Sequence, residues 1–181
     1  LVLVGGAMGD RFGIARIFSL GILVFVGGSL ACAAALTPEQ MIAARAVKGV
    51  GAALMVPGSM AMVSRAYPRA ERGQALGLWA AASTLTTALG PVLGGMFVTW
   101  GGELGWRLVF ALNLPLGLAA LWLIRGRTPG DIGKPGVRVD ILGGLLATLG
   151  LGLMAWALTE ASAGPMIALA AVASLAAFLA W

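Results

Sequence analysis

Histidine is absent from this 181-residue sequence, and cysteine occurs only once, at Cys32. These two scarcities exclude an intrachain disulfide and a metal site built on cysteine or histidine. Charged residues are also few, at 10%, whereas 60% of the residues are hydrophobic and the mean hydropathy is +0.97. A water-soluble domain of this length would not tolerate such a composition, so we expect an all-α transmembrane protein that crosses the bilayer several times.

The same scarcities limit the functions that the chain can have. An enzyme at the membrane edge needs a nucleophile, an acid/base pair or a metal cluster, and the sequence shows none. The net charge is +5, but the twelve basic residues are scattered in small groups between apolar runs rather than gathered on one soluble face. We therefore expect neither an enzyme nor a nucleic-acid partner, and no metal or other cofactor.

The longest uncharged run, residues 73–102, predicts a membrane-spanning helix. A hydrocarbon core roughly 30 Å thick needs about 20 helical residues, so this run has length to spare. Pro91 removes a backbone donor and can bend the helix. Small residues recur at every fourth position and would let another helix approach closely; they are Ala82, Thr86, Gly90 and Gly94.

Charge clusters divide the remaining chain into further spans, which we predict at residues 17–36, 40–63, 106–124, 141–159 and 166–181, after the exit of a partial span at residues 1–4. Nine of the twelve basic residues lie in three alternate connections, at residues 11–16, 64–73 and 125–139. Basic residues accumulate in cytoplasmic loops, so these connections are predicted to face the cytoplasm. Thr37, Pro38 and Gln40 form a capping-box pattern that opens the span at residue 40.

Two groups of charged residues are candidates for function. A GxxxDRxG pattern lies in the predicted Gly-rich turn after the partial first span, and its members are Gly6, Asp10, Arg11, Gly13 and the following Arg16. Arg45 and Lys48 lie inside a span, where a charge costs about 2.5–3.5 kcal/mol, so they are expected to face a protein interior or a watery cavity. The alternatives are a basic turn that obeys only the topology rule and a pair of cations that snorkel to the outer surface.

Two apolar stretches carry further patterns. The central span contains Thr86, Gly90, Pro91, Gly94 and Gly95, and the next span opens with Trp106, Arg107, Phe110, Asn113, Pro115 and Gly117. Arg107 is expected to pair with Glu103, and Asn113 must find a partner or face a cavity. Read alone, the first of these stretches is also compatible with a kinked packing helix.

The first two patterns resemble signatures of the major facilitator superfamily. In that family the first is a cytoplasmic loop that forms a charge-helix latch for the outward-facing state, but Ile14 and Ala15 replace its usual basic residues, so the latch would depend on Arg16. The second resembles the fourth-span signature RxxQGxG, whose Arg is implicated in proton coupling in exporters. Lys48 stands where that signature has Gln.

The last two patterns resemble the exporter-type fifth-span signature GxxxGPxxGG, with Thr86 in place of its first Gly, and the WRxxFxxNxPxG start of the sixth span in drug:proton antiporters with fourteen spans. The four signatures appear in the order of the family. The resemblance implies a fragment with the end of span 2 to span 6 in residues 1–125, a cytoplasmic linker at 126–139, and parts of the extra spans 7 and 8 at 140–181.

This resemblance implies proton-driven efflux of drugs or other amphipathic compounds across the bacterial inner membrane by alternating access. The lipid bilayer, protons and small amphipathic substrates would be its partners, and the sequence leaves open whether a periplasmic adaptor binds. A metabolite or sugar carrier of the same superfamily is the main alternative. A non-transporting membrane protein or a membrane enzyme is a remote one.

The predicted topology can be tested with a cysteine introduced at Ala70, in the basic connection at residues 64–73. If this connection faces the cytoplasm, Ala70→Cys in the full-length protein should resist membrane-impermeant thiol reagents in whole cells and react after the cells are permeabilised. Ready labelling in intact cells would reverse the predicted orientation.

Overall fold

The computed structural model describes residues 1–125, 132–134, 136, 139–160 and 164–181, without the side chain of Glu103. These residues form helices and no strand, which confirms the predicted all-α fold. The helices are α1 (Val2–Phe12), α2 (Ile14–Ala34), α3 (Pro38–Ala66), α4 (Arg72–Trp100), α5 (Gly102–Ala111), α6 (Asn113–Ile124), α7 (Ile141–Thr159) and α8 (Pro165–Ala180). Among the described residues, five segments are long and apolar enough to cross a membrane: α2, α3, α4, Leu104–Ile124 and α7.

The prediction of a Gly-rich turn after residue 4 is wrong. Gly6, Asp10 and Arg11 all lie in α1, which continues to Phe12. The chain reverses at Gly13 alone, whose φ of 103° is a conformation that favours glycine, and α2 starts at the next residue. The glycines of α1 do not form a turn; they provide space for close packing. A methyl group added at Gly5, for example, would meet the backbone of Ala53 in α3.

The predicted capping box opens α3. The Thr37 side chain accepts a hydrogen bond from the Gln40 backbone N–H at 3.3 Å, and Pro38 occupies the first helical position. The Gln40 Oε1 atom in turn accepts from the backbone N–H of Leu36 at 2.8 Å, one residue earlier than the usual capping box. This start places Arg45 eight residues and Lys48 eleven residues after the cap.

The connection predicted at residues 101–105 is instead a tight helix-to-helix junction. Only Gly101 separates α4 from α5, and Gly102 has a φ of 55°. A methyl group added at Gly105 would collide with the Phe97 carbonyl, so the glycines allow the two helices to meet. The predicted span at residues 106–124 is also divided, at Leu112, into α5 and α6. Pro115 explains the break, because it has no N–H to donate to the carbonyl of Ala111.

A seam of glycines joins α2 to α3 with the backbones in direct contact. A methyl group added at Gly51 of α3 would collide with the Phe25 backbone nitrogen and lie 2.8 Å from the Gly21 carbonyl oxygen. One added at Gly28 of α2 would lie 2.7 Å from the Lys48 backbone nitrogen. Small residues on both helices permit this approach, as is usual in membranes. We call the contact of Gly21 and Gly28 with α3 at Lys48 and Gly51 the α2–α3 seam.

The other helices are arranged around this pair. Both α5 and α6 pack on α2, where Gly117 lies against Ile22 and Val26. Helix α7 starts at Asp140, whose Oδ1 accepts from the Gly143 N–H at 2.8 Å, and it packs on α8, where the Ser174 hydroxyl donates to the Leu146 carbonyl at 2.8 Å. The core that positions the charged residues is therefore α2, α3 and α5.

The seam can be tested with two glycines of α3 that lie two residues apart. Gly51→Ala should lower the melting temperature of the purified full-length protein by several degrees, because its methyl group must push the two backbones apart at a cost of about 1–3 kcal/mol. Gly49→Ala is the matched control, since nothing lies within 4 Å of the added methyl group. Equal melting temperatures for the two variants would contradict the seam.

Candidate functional site

The end of α1 is held to the end of α3 by an ion pair. The Arg65 Nη2 atom lies 3.8 Å from the Asp10 Oδ1 atom, and both side chains are more than half exposed. The Arg11 guanidinium lies over the ring of its neighbour Phe12, at 5.1 Å from the centroid. An exposed ion pair contributes about 0–1 kcal/mol, so this contact is easily broken and remade. Arg16, expected to support the latch, is exposed on the first turn of α2.

Residues of the linker cover the same turn. The Lys134 backbone N–H donates to the Asp10 carbonyl at 2.8 Å, which satisfies a carbonyl at the C-terminal end of α1. Gly133 lies so close to α1 that an added methyl group would collide with the Arg11 carbonyl oxygen. We call residues 132–134 the linker strap. The strap ties the linker to the turn that contains Asp10, Arg11 and Gly13.

A small cavity lies beneath this turn, between α1, α2 and α3. Its volume is about 140 Å³, and its walls are apolar or glycine except at Asp10. Gly6, Gly9, Ile14, Pro57 and Gly58 contribute to its lining. The cavity exists because the glycines that line it have no side chains to fill it. The turn that contains Asp10 therefore borders a cavity and not a packed core.

The second candidate group, Arg45 and Lys48, lies against aromatic rings. The Arg45 Cζ atom is 5.5 Å from the centroid of the Phe110 ring in α5, and the Lys48 Nζ atom is 5.0 Å from the same centroid. The Lys48 Nζ atom is also 4.8 Å from the centroid of Phe25 in α2. The Trp106 ring meets Phe110 edge-on, with centroids 6.3 Å apart. We call Arg45, Lys48, Phe25 and Phe110 the cation cluster.

The rings only partly compensate the two charges. Among the described side chains, neither Arg45 nor Lys48 forms an ion pair with a carboxylate. A cation over an aromatic ring gains about 0.5–2 kcal/mol, whereas a charge at the centre of a membrane helix costs about 2.5–3.5 kcal/mol. Both cations also repel each other, since positions i and i+3 share one helix face. The cluster is therefore electrostatically positive.

Neutral polar groups beside the cluster pair with each other. The Asn113 Nδ2 atom donates to the Ser29 hydroxyl at 3.3 Å, and Ser29, which is fully buried, donates to the Phe25 carbonyl at 2.8 Å. Arg107 donates from its Nη1 atom to the Ala33 carbonyl in α2. The partner expected for Asn113 is thus Ser29. The expected pairing of Arg107 with Glu103 lies outside the described side chains.

The structure brings two of the four sequence patterns together and leaves the other two apart. Phe110 of the sixth-span pattern contacts both Arg45 and Lys48 of the fourth-span pattern. On α4, nothing among the described residues lies within 4 Å of methyl groups added at Gly90, Gly94 or Gly95, so the role of that face in helix approach stays a prediction. Most of the linker at residues 126–139, with Arg127 and Arg138, lies outside the described residues.

Three residues of the site carry no motif of their own. Phe25, Ser29 and Arg65 were read only as span residues or as topological charge, yet each contacts a motif residue in another helix. Gly21 and Gly28 lie seven residues apart on either side of Phe25, and they mark the α2 face that approaches α3. This pair of glycines could have indicated that Phe25 lies near α3.

Comparison with known proteins gives a consistent match. The profile of the Major Facilitator Superfamily matches residues 1–181. The methylenomycin A resistance protein of Bacillus subtilis is 40% identical over 99% of this chain and 39% of its own length. The multidrug resistance protein Stp of Mycobacterium tuberculosis is 34% identical over 92% of this chain and 30% of its own. A probable actinorhodin transporter of Streptomyces coelicolor is 35% identical over 88% and 28%. The chain thus spans about two fifths or less of these relatives.

The linker strap can be tested by hydrogen exchange on the full-length protein. Gly133→Ala should raise deuterium uptake at the Lys134 amide several-fold, because the methyl group displaces the strap from the Arg11 carbonyl and breaks the bond to Asp10. Gly136→Ala is the control, since its methyl group would lie in open space. Unchanged uptake in Gly133→Ala would show that the strap does not bind the turn.

Proposed function

Because the chain belongs to the Major Facilitator Superfamily, we propose that it forms part of a transporter that exports amphipathic small molecules across the cell's inner membrane. One structural observation carries the proposal: a membrane helix holds Arg45 and Lys48 against Phe110 with no carboxylate partner among the described side chains. Ionisable residues inside a membrane are costly and mark transport pathways. The relatives named for antibiotic and multidrug resistance support export as the direction.

The proposed mechanism is alternating access. In transporters of this kind, helix bundles rock about a site near the middle of the membrane. Lys48 lies eleven residues after Thr37, about 16 Å along α3, which is roughly half of the hydrocarbon thickness. The cation cluster is therefore at a depth suitable for such a site.

Protons are the proposed energy source, with no other cofactor, and Arg45 together with Lys48 is assigned to proton coupling. A fixed positive charge stabilises the ionised form of a nearby acid, so it can set when that acid releases its proton. A change in protonation then changes which conformation is more stable. A role as an enzyme is not proposed, and the partners are the bilayer, protons and substrate, with a periplasmic adaptor left open.

The remaining patterns are assigned to conformational control. Asp10 and Arg11 form the cytoplasmic latch, with Arg65 as the partner of Asp10, and the weak, exposed ion pair suits a contact that opens in each cycle. Gly90 and Pro91 belong to the helix that closes the outer half of the pathway. The small-residue face of α4 supports this assignment, because no described residue lies within 4 Å of methyl groups added at Gly90, Gly94 or Gly95.

Transport into inverted vesicles tests the function and the role of Arg45. Vesicles with the full-length protein should take up at least one member of a panel of neutral, cationic and anionic fluorescent amphipathic probes when the lumen is acidic. Arg45→Ala should reduce this uptake to the level of vesicles without transporter, because proton release is no longer controlled.

Arg45→Lys is the matched variant, since it keeps the positive charge over the Phe110 ring and should retain part of the activity. Uptake that persists after the pH gradient is collapsed would overturn proton coupling. Undiminished uptake by Arg45→Ala would remove Arg45 from the mechanism. Failure of every probe with the wild-type protein would overturn efflux of amphipathic compounds.

A further inference from the structure

The cation cluster has more positive charge than its surroundings neutralise. Both cations share the Phe110 ring, and Lys48 also lies over Phe25. A ring face attracts a cation but carries no net negative charge. Lys48 has three N–H donors and Arg45 has five, and among the described residues neither side chain has a hydrogen bond. Within the described part of the chain, the charged donors of the cluster therefore have no anionic partner.

The other polar groups near the cluster do not supply the missing negative charge. Asn113 and Ser29 are occupied with each other and with the Phe25 carbonyl, and the Arg107 guanidinium is bonded to the Ala33 carbonyl. All three bonds lie on the α2 side and supply no negative charge to Lys48. Arg45 is exposed and Lys48 is half-buried, so a small molecule can reach both.

We infer that Lys48, with Arg45, binds the carboxylate of an amphipathic organic acid, and that Lys48 gives the transporter its preference for such anions. This inference rests on the proposed efflux function and names the substrate class of the same site. Both cations lie within 5.5 Å of the Phe110 centroid, and an ammonium or a guanidinium forms strong charge-assisted hydrogen bonds with a carboxylate. Phe110, Phe25 and the edge of Trp106 supply an apolar wall for the body of the molecule.

The test compares two probes with the same body and different charge, dansylglycine and the neutral dansylglycinamide. The full-length transporter is placed in phosphatidylcholine nanodiscs, which carry no anionic lipid, and binding is measured at neutral pH without a gradient. Wild-type protein should bind the acid about tenfold more tightly than the amide, as expected for one charged hydrogen-bonded contact.

Substitutions identify the residue responsible. Lys48→Gln should reduce the acid-to-amide preference to about twofold or less, and Lys48→Arg should restore it, because the charge and the donors return. Arg125→Gln, which removes a cation at the end of α6, is the control and should keep the wild-type preference. If Lys48→Gln does not fold, Arg45→Gln tests the same loss.

The outcomes separate this inference from the proposed function. Equal binding of the two probes by the wild-type protein, no binding of the acid, or an unchanged preference in a folded Lys48→Gln variant overturns the inference, and gradient-driven uptake of the amide would still support efflux. A role of Lys48 in proton coupling alone would leave gradient-free binding unchanged. Preferential binding of the acid without any gradient-driven uptake would keep the site and overturn efflux.

Discussion

The backbone contact between α2 and α3 determines where the charged residues of this protein can lie. At the α2–α3 seam, Gly28 meets the backbone of Lys48 itself, and Gly51 meets the backbone of Phe25. The Lys48 side chain therefore emerges beside α2 and reaches the Phe25 ring, which belongs to the other helix of the seam. A larger residue at Gly28 or Gly51 would push α2 and α3 apart and move the Lys48 ammonium away from the Phe25 ring. The packing of the two helices therefore also determines where this positive charge lies.

The second support of the site comes from the span that α5 and α6 form. Pro115 interrupts the backbone ladder, and the helix divides at Leu112, with Phe110 on the last turn of α5 and Asn113 at the first position of α6. Phe110 then faces the two cations of α3, whereas Asn113 bonds to Ser29 of α2. A single span thus contacts both helices of the seam, and two separate sequence patterns meet in one cluster.

The sequence predicted most of the spans but not the contacts between them. Hydropathy and charge predicted α7 at its observed bounds and α4 to within two residues, and the capping box located the start of α3, because these features depend on local residues alone. The turn at Gly13 and the junction at Gly101 were mistaken for longer connections, since glycine signals a turn unless a neighbouring helix needs the space. The pairing of Asp10 with Arg65 and of Lys48 with Phe25 depends on which helix faces which, and composition carries no such information.

Helix α3 connects the two candidate sites. Arg65 lies twenty residues after Arg45, about 30 Å along the helix axis, so the Asp10–Arg65 ion pair and the cation cluster are well separated along α3. Since the seam contains backbone contacts on both helices, α2 and α3 cannot slide past each other without a collision, and they must move together. Asp10, the partner of Arg65, lies in the turn at the end of α1. The ion pair and the linker strap both hold that turn, and both are made of contacts weak enough to break without unpacking the seam.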